Sequence, residues 1–434
     1  MAPHLRAQNA VTLLASYVFY GWWDLRFLAL IGAVTAFNYV LAPKAKEDHR
    51  FLYGAVAGNL GLLAVFKYLG FFVEEFSTLL THIGLQANPT TLDILLPVGI
   101  SFFTFQALSY VVDVARGKTP AACDFLTFAT YIALFPQLVA GPIVRAARLL
   151  PQLARPRRWS WANTWLGAEQ ILIGAVLKIV IADRMAPLAD RAFENPAALD
   201  SLGIALGVLF FAFQIYGDFA GYSLMAIGLG RIMGLSFPVN FRRPYLAQDF
   251  SDFWRRWHIS LSQWLRDYLY IPLGGNRQNG RRNLMATMML GGLWHGAGWP
   301  FLIWGALHGG YLALGRGVAW PLGRWGNRAL VFSAVCLAWV FFRAESLTDA
   351  VSMIRGVLAF SGASLTGLGP LIPVVLALFL ISLLMLGESL YEDRPDVRRA
   401  LHIRPVRLGR ALVLTLSLPI LGTFNGGAFV YFQF

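Results

Sequence analysis

The sequence predicts an all-α polytopic membrane protein, and three observations carry that expectation. Hydrophobic residues fill 57% of the 434 positions and charged residues 14%, against about 25% charge in an average soluble domain. Mean hydropathy is +0.57. Apolar runs of helical rather than alternating character recur along the chain, and each crossing needs about 17–25 such residues. The net charge of +13 does not point to nucleic acid, because the basic residues lie mostly in loops between apolar runs. That is the positive-inside pattern, and it also suits the anionic headgroups of a lipid bilayer.

In chain order, candidate segments fall at 10–23, 27–42, 51–73, 94–112, 162–181, 202–216 and 219–235. Others follow at 284–297, 300–314, 329–342, 365–386 and 411–430. Together they make about ten to twelve transmembrane or re-entrant helices, with no internal repeat. The basic stretches 44–50, 116–118, 145–158, 242–282, 316–328 and 394–410 are expected on the cytoplasmic side, and the acidic stretches 74–93 and 183–200 outside. Passing from Asp200 to Arg242 then requires an odd number of crossings, so one of the two runs within 202–235 is only partial. Residues 125–142 lie between two basic stretches and contain Phe135-Pro136 and Gly141-Pro142. Such breaks suit a re-entrant element, since non-helical backbone at membrane depth must line a cavity or pack in protein.

Cys123 and Cys336 are too few and too far apart for a disulfide framework or a metal site. They read as small apolar packing residues. No cleavable signal peptide is evident after the short stretch 1–9.

Three constellations could carry chemistry. From Leu284 to Leu314 the only ionisable side chains are His295, His308 and Tyr311. A titratable group at membrane depth costs several kcal/mol unless it finds a partner or a cavity. Gly296, Gly298 and Pro300 follow His295, so the helix should break there, with Trp294 and Trp299 flanking a cavity. The alternative for His295 is a hydrogen bond to a neighbouring helix. His308 has no such break before it and reads as structural.

The second constellation is a polar-basic insert at 241–283. Ser251 or Asp252 is a plausible N-cap for one amphipathic helix reaching about Tyr270. Trp254, Trp257, Leu261, Trp264, Leu265 and Tyr268 would share its apolar face, opposite Arg255, Ser262, Gln263 and Arg266. Such a helix lies in the membrane interface. His258 falls at the edge of the apolar face, where it is either structural or functional. The arginines would face headgroups or hold the phosphates of a donor. Gly274-Gly275-Asn276-Arg277 matches no phosphate-cradling motif and reads as a turn. The third constellation, Tyr216-Gly217-Asp218-Phe219, places Asp218 in an apolar stretch as a site carboxylate or as the partner of a polar side chain. None of these forms a Ser-His-Asp set, a zinc spacing or a dinucleotide loop.

Taken together, these segments resemble the membrane-bound O-acyltransferase family, in particular the bacterial branch around the alginate O-acetylation protein. The resemblance rests on Asp252-Phe253-Trp254-Arg255-Arg256-Trp257-His258 with Trp264-Leu265-Arg266-Asp267-Tyr268, and on Gly292-Leu293-Trp294-His295-Gly296-Ala297. Leu96 to Gln106, Phe135 to Ile143 and the closing Tyr431-Phe432-Gln433-Phe434 also match, so it covers nearly the whole chain. There are two departures. Family members usually begin with a further apolar segment, so the chain reads as short at its N-terminus. Leu224 stands where the alginate type has an acidic residue, as in D-alanyl transfer to teichoic acid, whereas Ile271 to Arg277 matches the polysaccharide-acetylating group.

The resemblance implies one O-acyltransferase domain over 1–434, helices around a central tunnel, and a place in the bacterial inner membrane. It implies His295 as catalytic residue, either general base or transient acyl carrier, and His258 as a second histidine that positions the donor or assists proton transfer. Trp254, Arg255, Trp257, Arg266, Asp267, Trp294, Asp218 and His308 are the accompanying substrate- or donor-binding candidates, with no metal. Acetyl-CoA would be the acyl donor, acting as substrate rather than bound cofactor. The acceptor would be an envelope polysaccharide hydroxyl or a periplasmic acyltransferase partner. D-alanyl or other acyl transfer is one alternative. Others are a transporter or flippase, and an inactive scaffold that recruits a soluble acyltransferase.

Overall fold

The computed structural model describes residues 3–85, 96–138, 141–315, 321–364 and 366–424. The closing Tyr431 to Phe434, residues 139–140 of the Phe135 to Ile143 match and residues 425–430 of the last expected segment lie outside these. So do residues 86–95, 316–320 and 365, which clip the expected stretches 74–93, 94–112, 316–328 and 365–386. All regular structure among the described residues is helical. The chain divides into two compact units, one of Met1–Trp165 with Leu229–Pro238, the other of Leu166–Gly228 with Val239–Phe434.

In the first unit, α1 (Pro3–Gly21), α2 (Arg26–Glu47), α3 (His49–His82, with a π-turn near its middle), α4 (Ile100–Ala115) and α5 (Phe125–Ala133) follow in order. Asn38 and Asn59 join α2 to α3 by reciprocal amide hydrogen bonds of 2.8 and 3.1 Å. After α5 the helix breaks at Leu134, ahead of Phe135-Pro136, and resumes for only Phe135–Leu138. Pieces this short cannot cross a bilayer. Tyr131 and Gln137 tie the segment down, with Gln137 Nε2 donating to the Tyr131 carbonyl at 2.8 Å.

The second unit contains most of α6 (Trp161–Ala175), which continues through a π-turn to Ala182. It also holds most of α7 (Ser201–Ile232). The sequence suggested two runs within 202–235, whereas α7 is one uninterrupted helix of 32 residues, about 48 Å long at 1.5 Å per residue. Gly217 and Gly221 do not break it, because they serve packing. A Cβ at Gly221 would lie 2.7 Å from the Gly174 carbonyl oxygen. One helix gives the odd number of crossings that the charge pattern requires.

The amphipathic insert is also corrected. In place of one helix to Tyr270 there are α8 (Phe250–Arg256) and α9 (Ile259–Leu265), with a π-turn over Arg266–Tyr270. Asp249, not Ser251 or Asp252, is the N-cap, accepting the Asp252 N–H at 2.7 Å. The division of faces survives the break. Trp254, Trp257, Leu261, Trp264 and Leu265 are buried in protein while Arg255, Gln263 and Arg266 are exposed. Gly274 and Gly275 form the expected turn, with φ of 109° and 54°.

Beyond it come α10 (Gly280–His295), α11 (Trp299–Gly315), α12 (Gly323–Arg343), α13 (Leu371–Asp393) and α14 (Arg404–Leu421). Among the described residues, five helices are long and apolar enough to cross a membrane alone: α2, α3, α7, α12 and α13. Cys336 packs half-buried against the core, but Cys123 is exposed and does not serve as a packing residue.

Gly305 sets the approach of α11 to α10, since a Cβ there would lie 2.4 Å from the Met288 carbonyl oxygen. Backbone cannot yield as a flexible side chain does. Gly305→Val is therefore expected to destabilise the protein by about 3 kcal/mol, checked by the thermal midpoint of the detergent-solubilised chain.

Candidate active site

The second unit brings the three sequence-predicted histidines onto one wall of aromatic rings. Helix α10 stops at His295 because Gly296 is extended (φ −157°, ψ 150°) while its N–H still reaches the Gly292 carbonyl at 3.4 Å. Pro300 sits in the first turn of α11, where no intrahelical N–H is needed. A Cβ at Gly292 would lie 2.2 Å from the Phe301 carbonyl oxygen, so the hairpin closes backbone to backbone. This closure lays the His295 ring against Trp294, Trp304 and Phe342, at centroid distances of 4.9, 5.1 and 5.3 Å. His295 is only 4% exposed.

His258 occupies the kink between α8 and α9, with φ 40° and ψ 54°. Non-glycine residues visit this left-handed region rarely and usually for a reason set by the surroundings. Here the reason is Asn240. Its backbone oxygen accepts the Ile259 N–H at 2.9 Å, and its Oδ1 accepts the Ser260 N–H at 3.1 Å and the Ser260 hydroxyl at 2.8 Å. Asn240 thus caps α9 from outside its own chain direction and holds the kink open. The same Oδ1 lies 3.3 Å from His258 Nδ1.

A backbone N–H can only donate, so the atom facing Ser260 must be the amide oxygen, and its contact with Nδ1 requires Nδ1 to carry the proton. Nε2 then bears the lone pair. Asn240 Nδ2 donates in turn to Ser223 of α7 at 3.0 Å. His258 is fully buried, with Phe219 edge-on at 4.6 Å. Burial pushes its pKa down to about 3, so the imidazole is neutral at physiological pH.

Rings connect the histidines. Trp294 stands between His258 (6.2 Å) and His295, and Trp304 between His295 and His308 (4.8 Å). Trp254 reaches His308 at 5.2 Å, while Trp257 lies against Trp339 at 5.0 Å behind them. His308 is wholly buried, yet among the described residues neither ring nitrogen has a hydrogen-bond partner. A purely structural histidine would ordinarily be satisfied.

The remaining candidates lie elsewhere. Arg255 is largely exposed and, among the described residues, makes long contacts to Asp249 and Asp252, 3.8 and 3.7 Å. Arg266 is exposed and bonded to Asp267 at 2.7 Å. Arg256 has a fixed structural role, joining Asp252 at 2.9 Å to Glu392 at 3.0 Å. Burial alone would lower its pKa, but those two carboxylates outweigh it and raise it.

Asp218 faces away from Phe219 and Ser223 around α7, and Lys178 holds it at 2.7 Å while also holding Asp183 at 2.8 Å. Lys178→Met would leave both carboxylates without their cation. It is expected to cost about 3–5 kcal/mol of stability, seen as a lower thermal midpoint that Asp218→Asn partly restores.

Sequence reasoning missed Asn240, Trp304 and Lys178. Lys178 left a signal, as a charge inside the apolar run 162–181. Asn240 left none, because its role depends on a contact 18 residues away.

Comparison with known proteins gives the family. Residues 120–342 match the sequence profile of the membrane-bound O-acyltransferase family (MBOAT). The chain is 39% identical to a probable alginate O-acetylase AlgI of Pseudomonas putida, covering 99% of this chain and 95% of that protein. It is 44% identical to the corresponding protein of Pseudomonas aeruginosa, over 84% of this chain and 74% of that one. Identity to the peptidoglycan O-acetyltransferase of Helicobacter pylori is 36%, over 81% of this chain and 74% of that one. The chain belongs to the membrane-bound O-acyltransferase family and is an O-acyltransferase of the membrane.

Proposed function

We propose that this enzyme carries an acetyl group from cytoplasmic acetyl-CoA toward hydroxyls of an envelope polysaccharide across a bacterial inner membrane, with His295 as the catalytic residue. The observation that carries the reading is His295 itself: a buried imidazole at a helix break, linked through single indole rings to His258 and His308. The names of the similar proteins, a probable alginate O-acetylase and a peptidoglycan O-acetyltransferase, support acetyl as the group and a glycan as the acceptor.

Acyl transfer to a hydroxyl requires removal of the hydroxyl proton, attack of oxygen on the thioester carbonyl carbon, and departure of the thiolate. As general base, the imidazole of His295 takes that proton and returns it to the leaving sulfur. As acyl carrier, it attacks the carbonyl first and is then released by the acceptor oxygen. In both cases the surrounding Trp and Phe rings exclude water that would otherwise hydrolyse the thioester. Neutral His258, with its lone pair on Nε2, assists the proton transfer or positions the donor. His308, wholly buried, supplies polar atoms for the bound acyl group. The exposed Arg255 and Arg266, with Asp267 orienting the latter, offer their guanidinium groups to the donor phosphates. A periplasmic acyltransferase would complete delivery where the glycan itself does not enter.

Family membership sets aside the transporter alternative and the inactive scaffold. The test of the donor is direct. Purified protein incubated with radiolabelled acetyl-CoA and an acceptor glycan should release free CoA and label the glycan. Intact thioester throughout, in folded protein, would overturn the donor assignment.

A further inference from the structure

The first unit carries a groove that the acyl chemistry does not use. It has a volume of about 520 Å³. Its lining combines the nitrogen-bearing side chains of His4, Arg157 and Arg158 with apolar Val11, Ile232 and Met233, and contains no acidic residue.

Arg157 lines the groove. It is half-buried, and one terminal nitrogen donates to Asn9 Oδ1 at 2.8 Å while the other donates to Thr12 Oγ1 at 3.2 Å. The Asn9 amide is fixed in this sense, because its Nδ2 donates to Thr127 and to the Leu153 carbonyl at 3.2 and 3.0 Å. Gln8 clamps the backbone on either side, donating to the Arg157 carbonyl and accepting its N–H, both at 2.9 Å. The guanidinium is therefore held in place by neutral oxygens, and among the described residues no carboxylate pairs with it. A half-buried charge without a counterion is costly. An anion seated in the groove would remove that cost.

Two further features select the anion. The apolar lining would be of no use to a small soluble ion. Trp159, also in the lining, is 60% exposed and meets Trp161, 76% exposed, edge to face at 4.4 Å. Exposed indoles of this kind mark the level of the lipid headgroups. We propose that this groove binds one anionic phospholipid. Its phosphate sits on the forks of Arg157 and Arg158, and its acyl chain lies along Val11, Ile232 and Met233.

Native mass spectrometry of the full chain, released from detergent with phosphatidylglycerol or phosphatidylcholine added, tests this. One phosphatidylglycerol should be retained at least about ten times better than phosphatidylcholine, and each of Arg157→Gln and Arg158→Gln should weaken retention about five-fold. Millimolar inorganic phosphate or coenzyme A should leave the adduct in place. Equal retention of the two lipids, or unaltered retention by the variants, would overturn the proposal. Displacement by phosphate or by coenzyme A would do so too, giving the groove to a soluble anion or to the acyl donor. Arg157 also ties α1 to the chain at 157, so size-exclusion behaviour is checked first. If Arg157→Gln does not fold, the exposed Arg158→Gln decides alone. Lipid retention is independent of acyl transfer, so failure here leaves the proposed reaction standing.

Discussion

The His295→Ala variant is expected to lose acyl transfer by about 10²–10⁴-fold, the usual contribution of a positioned acid–base group. The His295 ring lies against Trp294, Trp304 and Phe342, whose side chains carry no basic nitrogen that could take its place as proton acceptor. The measurement is ester-linked acetate on envelope glycans in cells, paired with transfer by purified protein. Alanine also opens a cavity beneath Trp304, so His295→Gln, close in volume, separates lost chemistry from lost packing. Both variants should fail alike. Full transfer by either, in folded and membrane-inserted protein, would remove His295 from the chemistry. Hydroxylamine separates the two mechanisms, since an acyl-imidazole would give hydroxylamine-labile label on the wild-type chain and none on His295→Gln.

The helix break at His295 was legible because its cause is local: Gly296, Gly298 and Pro300 follow within five residues. The buried and exposed faces of 250–270 were legible too, since a period of about 3.6 residues survives one kink. The kink itself was not. It depends on Asn240 supplying both a carbonyl and an amide oxygen to the start of α9, and no periodicity within 250–270 records that. Likewise the sequence divided α7 into two runs on either side of Gly217-Asp218, and Gly217 and Gly221 gave no sign of their role. Both are contact points, visible only once α6 and its continuation lie across them. What eludes the sequence here is contact between separate segments, including the ring order that sets Trp304 between His295 and His308.

The second large effect is expected at His258, and Asn240 shows what kind of effect it is. His258→Ala should lower transfer by about 10²-fold or more, but a buried histidine in a kink also contributes packing, so the loss alone does not define a role. Asn240→Ala leaves His258 in the chain and removes the acceptor for its Nδ1–H and for the Ser260 N–H. Stability should fall by about 1–3 kcal/mol, and kcat should fall more than KM because the imidazole loses its tautomer and orientation. Asn240→Asp retains both acceptors and adds negative charge beside Nδ1. An opposite charge at that distance favours the imidazolium, so the pKa of His258 moves upward from about 3. If neutral His258 is needed for proton transfer, its raised pKa enlarges the imidazolium fraction at low pH, so the rate of Asn240→Asp relative to wild type must fall as pH is lowered and recover at alkaline pH. A ratio of Asn240→Asp to wild-type rate that stays constant with pH, in folded protein, would remove His258 from the proton transfer and leave that step to His295.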